Sequence, residues 1–404
     1  QIIQLTYNKF RFIRRCIVES FLRIPAVFMR GGTSKGLILK SADLPADPHV
    51  RDKVITRIYG SPDIRQIDGL GGGTPLTSKL AIVGASSRSD VDISYTFGQV
   101  SLEEEMIDYR PTCGNMAAAV GLFAAEEGYV ELTDPVTIVR IFNTNSNNII
   151  EAEIPVRNGK IQYDGTFSID GVPGTSQRIL INYLNTEGAI TGKILPTGNP
   201  KDTLKIDDGR VFDITVIDAA NVIVFVQANQ LNIKGTEIGN SFNRPGLLDT
   251  LEAIRIETGI HIGLFKNKKT VTPVSHALPK IAVVAPPQSY LTNNGRIIQA
   301  NEIDIVGRYV SMGKLHEAFA VSGGIGIAVA AQIPGTIIAE IIGKLDKQKE
   351  VEIGHPSGTM SVVAEVESIK NQFSVKRASI GRTARRLMEG YAVIPNSILE
   401  DNVL

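Results

Sequence analysis

Apolar residues in this chain fall mostly in short alternating runs, the period-2 signature of half-buried strands, separated by turns rich in glycine and asparagine. Ile24, Ala26 and Phe28 alternate before a polar loop and Leu37-Ile38-Leu39 follows it, so 24–40 reads strand, loop, strand. Val91 to Val100, Val136 to Asn143, Ile149 to Val156, Ser361 to Glu367 and Phe373 to Ile380 read as further strands, with Tyr391 to Pro395 as a last short one. Phe212 to Val226 divides into two strands at the polar Asp218-Ala219-Ala220-Asn221, and Lys280 to Ala285 is apolar enough for a buried strand. Two segments switch to a helical pattern: Pro48 to Tyr59, stopped by Gly60-Ser61-Pro62-Asp63, and Leu247 to Thr258. Residues 164–205 are rich in Gly, Pro, Thr and Asn, and Gly192 to Pro200 within them reads as the crossing into a second half. The acidic stretch Ser101 to Asp108 reads as a solvated edge with no site.

One stretch organises the rest. In Pro111 to Ala125 a tight turn runs into an apolar helix, and Cys113 sits at the junction. Gly114 permits close approach to the backbone, Asn115 suits the N-cap, and Ala117, Ala118, Ala119 and Gly121 suit a helix buried on most sides. Unpaired N–H groups and the dipole at such a helix start favour an anion, whether a thiolate or a bound carboxylate. The competing reading is a buried structural cysteine opening a core helix. Val321-Ser322-Gly323-Gly324 and the small-residue helix after it align with Thr112-Cys113-Gly114-Asn115, Ser322 falling opposite Cys113. Such self-similarity suggests two halves of one architecture, with two helix starts facing a cleft.

Glycine, hydroxyl and cation recur together. Arg30-Gly31-Gly32-Thr33-Ser34-Lys35-Gly36, between two strands, brings backbone N–H groups, O–H donors and charge to one loop, as a carboxylate cradle needs. Thr-Ser-Lys returns at Thr77-Ser78-Lys79 after the run Gly69-Leu70-Gly71-Gly72-Gly73, again just before an apolar strand. A lysine partly desolvated beside a cleft can lose its proton near neutral pH and act as a base, although lysine at a strand edge is more often simply solvated. His316 and His355 lie beside Gly and Ser in turn-like contexts.

Composition narrows the function. The 404 residues suffice for two domains, and 43% hydrophobic with 21% charged residues is ordinary for a globular protein. Lys and Arg (42) balance Asp and Glu (42), giving no support for nucleic-acid binding. No apolar run is long enough to span a membrane. Two cysteines are too few for a disulfide scaffold and fit a reducing, cytoplasmic setting. The first 18 residues carry Lys9, Arg11, Arg14 and Arg15 and no acid, which reads as a flexible extension over residues 1–22, with a mitochondrial transit peptide as the alternative. Zinc spacing, a Walker loop, a Gly-x-Ser-x-Gly elbow and a dinucleotide fingerprint are all missing from the sequence.

Taken together, Met29 to Gly36, Gln66 to Gly72 with Thr77-Ser78-Lys79, Cys113-Gly114-Asn115, Ser311-Met312-Gly313 and Gly354-His355-Pro356-Ser357-Gly358 resemble the PrpF family of methylaconitate, aconitate and methylitaconate isomerases and oxalomesaconate tautomerases. The resemblance runs from about Pro25 to Pro395. It implies an α+β, diaminopimelate-epimerase-like fold of two pseudo-symmetric domains, each a curved mixed sheet around a central helix. The expected division is 23–200 plus 385–404 for one domain and 201–384 for the other. It further implies that Cys113 and Lys79 handle a proton, without metal or organic cofactor. Around them Arg30, Gly31, Gly32, Thr33, Ser34, Lys35, Ser78, Gly114, Asn115, Ser311, Met312, Ser322, Gly323, His355, Ser357 and Gly358 are expected to grip a small di- or tricarboxylate. Ser322 in place of a second thiol disfavours an amino-acid epimerase. A carboxylate-binding accessory protein is the remaining alternative, and homodimerisation is left open.

Overall fold

The computed structural model describes residues 17–18, 20–271, 278–311, 313–343, 350–369 and 372–402. Met312 and the four basic residues of the N-terminal stretch lie outside them. The architecture is mixed α+β, and its long strands form one continuous series. Phe21–Gly31 pairs antiparallel with Ser34–Lys40, which pairs parallel with Lys79–Gly84, then antiparallel with Ile93–Val100, parallel with Val136–Asn143 and antiparallel with Asn148–Arg157. The second half of the chain repeats this alternation. Val211–Ala219, Asn221–Gln227, Lys280–Ala285, Ile305–Ser311, Val351–His355 and Gly358–Ile369 follow one another antiparallel, parallel, antiparallel, parallel, antiparallel. Gln372–Arg382 joins the two series by pairing on one side with Gly358–Ile369 and on the other with Ile179–Leu184.

Each parallel step needs a crossover, and helices supply it. Pro48–Tyr59 and Pro245–His261 lie on outer sheet faces over separate apolar clusters. Asp47 caps the first of these through the His49 and Val50 N–H groups (2.9 and 3.1 Å), and Gly60, at φ 75°, ends it. Gly114–Glu126 and Val321–Ala330 are instead central. Both contribute to the largest core cluster, and all of Gly114 to Ala125 and Val321 to Ala330 is buried. Small residues make this geometry feasible: a Cβ on Gly121 would lie 2.4 Å from the Ala152 Cβ. Around them each fully buried Phe, Ile or Leu contributes about 1.5–3 kcal/mol.

The sequence pattern misjudged three places. The final strand is Ala384–Pro395, well beyond the expected Tyr391 to Pro395. Its first part is an exposed, charged edge on which Arg386 pairs with Glu126, Glu127 and Glu389, and this polarity hid the alternation. Ile179–Leu184 is a strand inside the Gly-, Pro-, Thr- and Asn-rich stretch 164–205, where the pattern indicated none, its six residues diluted by polar surroundings. Asn115 is not the helix cap. Cys113 occupies that position (φ −140°, ψ 103°) without a side-chain cap bond, and Asn115 is a residue of the first turn.

Candidate active site

Lys79 is the first residue of its strand and stands opposite Gly36 in parallel register. Gly36 has no room for a side chain, since a Cβ would sit 1.7 Å from the Lys79 carbonyl oxygen. The buried Tyr59 phenol donates to that same carbonyl and accepts the Leu37 N–H at 3.1 Å. With its backbone fixed, Lys79 directs its Nζ to Gln99 Oε1 at 2.5 Å, 5.2 Å from the centre of the Phe97 ring. Burial pushes the Lys79 amine below the ordinary lysine range, and negative charge on Cys113 partly opposes this.

Cys113 lines the same cleft as Lys79, at the point where the two central helices begin. Gly114, Asn115, Val321 and Ser322 line it with them. The helix starts are tied across Asn221: its Nδ2 donates to Ser322 Oγ (2.9 Å), its Oδ1 accepts the Thr112 N–H (3.3 Å), and Thr112 Oγ1 donates to the Ala220 carbonyl (3.0 Å). The juxtaposition expected from the internal repeat is therefore present. A Cβ on Gly114 would lie 2.1 Å from Tyr183 Oη and 2.5 Å from Val321 Cγ1. Gly114→Ala is expected to destabilise the fold by about 1–3 kcal/mol in urea titration through overpacking. It should also depress turnover, because Cys113 moves with the strained turn; wild-type stability and rate in this variant would show that the packing is not tight.

The anticipated cradle is distributed over more than one place. Ser34, Ser311 and Ser322 reach the Cys113 cleft, whereas Thr33 and His355 line an adjacent cavity of about 260 Å³. That larger cavity contains neither Cys113 nor Lys79, which both line the smaller cleft. Arg30 turns to its own chain, donating to the Gly32 and Thr383 carbonyls and to Thr383 Oγ1, each at 3.0 Å. The Lys35 ammonium lies 5.5 Å from the Phe28 ring centre. Gly31 and Gly32 make room for Asn115, whose backbone and side-chain oxygens would meet Cβ atoms there at 2.1 and 2.0 Å. Asn115 in turn donates to Thr33 Oγ1 (3.0 Å) and Ser34 Oγ (3.3 Å). Ser78 is buried and donates to Gln66 Oε1 at 2.5 Å, holding the Gly-rich loop. Gly323 makes room for the Tyr309 and Phe319 rings. Ser357 Oγ donates to the Glu317 carbonyl. Gly358, at φ 146°, faces the chain's own Asp170, whose carboxylate accepts the Thr359 N–H at 2.6 Å.

Four residues at the cleft were not assigned to it from the sequence, although His316 was singled out there for its turn-like context. Asp108 was read as solvated, but it is buried in the cleft wall and paired with Arg110 at 3.0 and 3.1 Å. Lys280 and His316 line the cleft as well. Burial holds His316 down at about 3, and its Nδ1 accepts the Ala318 N–H (3.0 Å), so the neutral ring carries its proton on Nε2. Arg382 donates to Asn115 Oδ1 (3.1 Å) and, lowered by burial to about 10, remains a cation between cleft and cavity. Its signal was available: Ala378, Ile380 and Arg382 share the inward face of one alternating strand.

Comparison with known proteins fits this arrangement. The 3-methylitaconate isomerase of Eubacterium barkeri is 44% identical over 380 residues, covering 94% of this chain and 99% of that protein. A crystal structure of methylitaconate-delta-isomerase superposes with a TM-score of 0.78 at 43% identity, over 94% of this chain and 98% of that one. A hydroxyproline epimerase from Agrobacterium vitis, with trans-4-hydroxy-L-proline bound, shares the fold alone: TM-score 0.55 at 11% identity, over 95% and 96% of the two chains. The family described as PrpF protein matches residues 21–395, and the chain belongs to the PrpF family.

Proposed function

We propose that this protein is a cofactor-independent isomerase of an unsaturated di- or tricarboxylate of the methylitaconate or aconitate type, with Cys113 and Lys79 as its proton-transfer pair. The observation that carries this reading is the convergence of a thiol and a desolvated amine on one cleft at two helix N-termini. In such an acid the allylic C–H beside a carboxylate is the acidic one. One of the pair removes that proton, and the electron pair spreads over the double bond and the second carboxylate as a dienolate. A proton then returns at another carbon, which moves the double bond, or at the same carbon after rotation, which changes its geometry. Helix N–H groups and nearby cations stabilise the extra charge, and a neutral amine is the form able to accept a proton.

The matching alternation of strand pairings supports two pseudo-symmetric domains, 23–200 plus 385–404 and 201–384, each enclosing one central helix. The test of function is incubation in heavy water with cis-aconitate, trans-aconitate, methylaconitate and methylitaconate, followed by NMR. Deuterium at the allylic carbon of at least one acid, together with a shifted or inverted double bond, is the expected result. No exchange into any of them would refute the assignment.

A further inference from the structure

We propose that Lys280 is a substrate-binding residue that receives a carboxylate of the isomerised acid inside the Cys113 cleft. This rests on the function proposed above and adds a residue to it. Lys280 opens the strand Lys280–Ala285, is 7% exposed, and shares the cleft wall with Lys79, Cys113, Ser311 and His316. Every residue after it in that strand is apolar and buried, so packing alone would accept a hydrocarbon side chain here.

The surrounding charges are already committed. Asp108 is held by Arg110, and Arg255 by Glu252 at 2.6 and 2.7 Å and by the Leu278 carbonyl at 3.2 Å. The Lys79 amine donates to Gln99, and neutral His316 adds no negative charge. Among the described residues none gives the Lys280 ammonium a hydrogen bond or an ion pair within 4 Å. A buried, unpaired cation facing a second lysine is costly, and an anion placed between them removes the cost. Burial first, and Lys79 second, bring Lys280 down to about 7, with Asp108 opposing.

Binding and protonation are therefore linked. Near pH 8 the empty site holds mostly neutral Lys280; a carboxylate beside it raises its pKa, so binding takes up a proton. Near pH 6 Lys280 is already charged and uptake vanishes. The experiment is calorimetric titration with tricarballylate, a saturated tricarboxylate with no double bond to move, in buffers of different ionisation enthalpy. Wild-type protein should take up close to one proton at pH 8, and the Lys79→Met variant less, since losing the Lys79 charge lets Lys280 hold its proton more firmly in the empty site. Lys280→Arg should bind with no uptake, since arginine is charged throughout. Lys280→Met should weaken tricarballylate binding roughly ten- to hundredfold. It should raise KM for the turned-over acid far more than it lowers kcat. Wild-type affinity in Lys280→Met, or undiminished uptake in Lys280→Arg, overturns the assignment; if Lys280→Met does not fold, the Lys280→Arg result decides. Absence of deuterium exchange by wild-type protein would instead sink the functional reading, independently of Lys280.

Discussion

Cys113→Ala is expected to cut kcat by about 10²–10⁴-fold, the range for loss of a positioned proton-transfer group. Folding and binding should change little. The cysteine side chain makes no cap bond to its helix, and alanine fits within the same volume. The helix N–H groups and Asn115 remain to hold carboxylate, so tricarballylate affinity should stay within about threefold of wild type. Cys113→Ser should recover little, because a hydroxyl is a far weaker acid than a thiol and does not ionise to a usable base near neutral pH. Single-turnover and equilibrium-binding measurements separate the two effects, and unimpaired turnover in Cys113→Ala would remove the thiol from the mechanism.

Lys79→Met should produce a comparable fall in kcat, and its pH profile identifies the role. Burial lowers the Lys79 pKa, which raises the share of neutral amine at any given pH. A neutral amine acts as base, and falling pH protonates it. The acid limb of kcat/KM in wild type should accordingly reflect Lys79 and lie below the ordinary lysine range. Methionine fills similar volume without titrating, so residual activity in Lys79→Met should lose that limb. The same limb persisting in the variant would assign it to another group. The folded state binds fewer protons here than the unfolded chain, so the depressed pKa also makes stability rise with pH between the folded and unfolded values of Lys79. Lys79→Met should flatten this rise in urea titrations across that window.

Much of this was legible in the residues. Alternation located most of the long strands, and Pro48 with Gly60 bounded the first helix at both ends. The alignment of Ser322 with Cys113 anticipated that two helix starts meet. The glycine loops were harder. Gly31 and Gly32 read as donors to a ligand, but their backbone is approached by Asn115 of the same chain. A missing Cβ signals close approach without naming what approaches. Asp108 failed for the opposite reason: a charged residue ending an acidic run looks solvated until distant strands close over it, whereas Lys280 was placed in a buried strand but not beside the cleft.

The strand Gly358–Ile369 changes partners along its length. Gly358 to Val362 pairs with Val351–His355, and Val363 to Ile369 with Gln372–Arg382. The two strand series thus share an uninterrupted piece of backbone rather than a loop, and Arg382, at the end of the next strand, reaches Asn115 in the first turn of a central helix. A change in cleft width would then be carried in part as twist along a hydrogen-bonded ribbon. Its signature would be amide protons at Val362 and Val363 that exchange only through global unfolding, as slowly as those of the central helices.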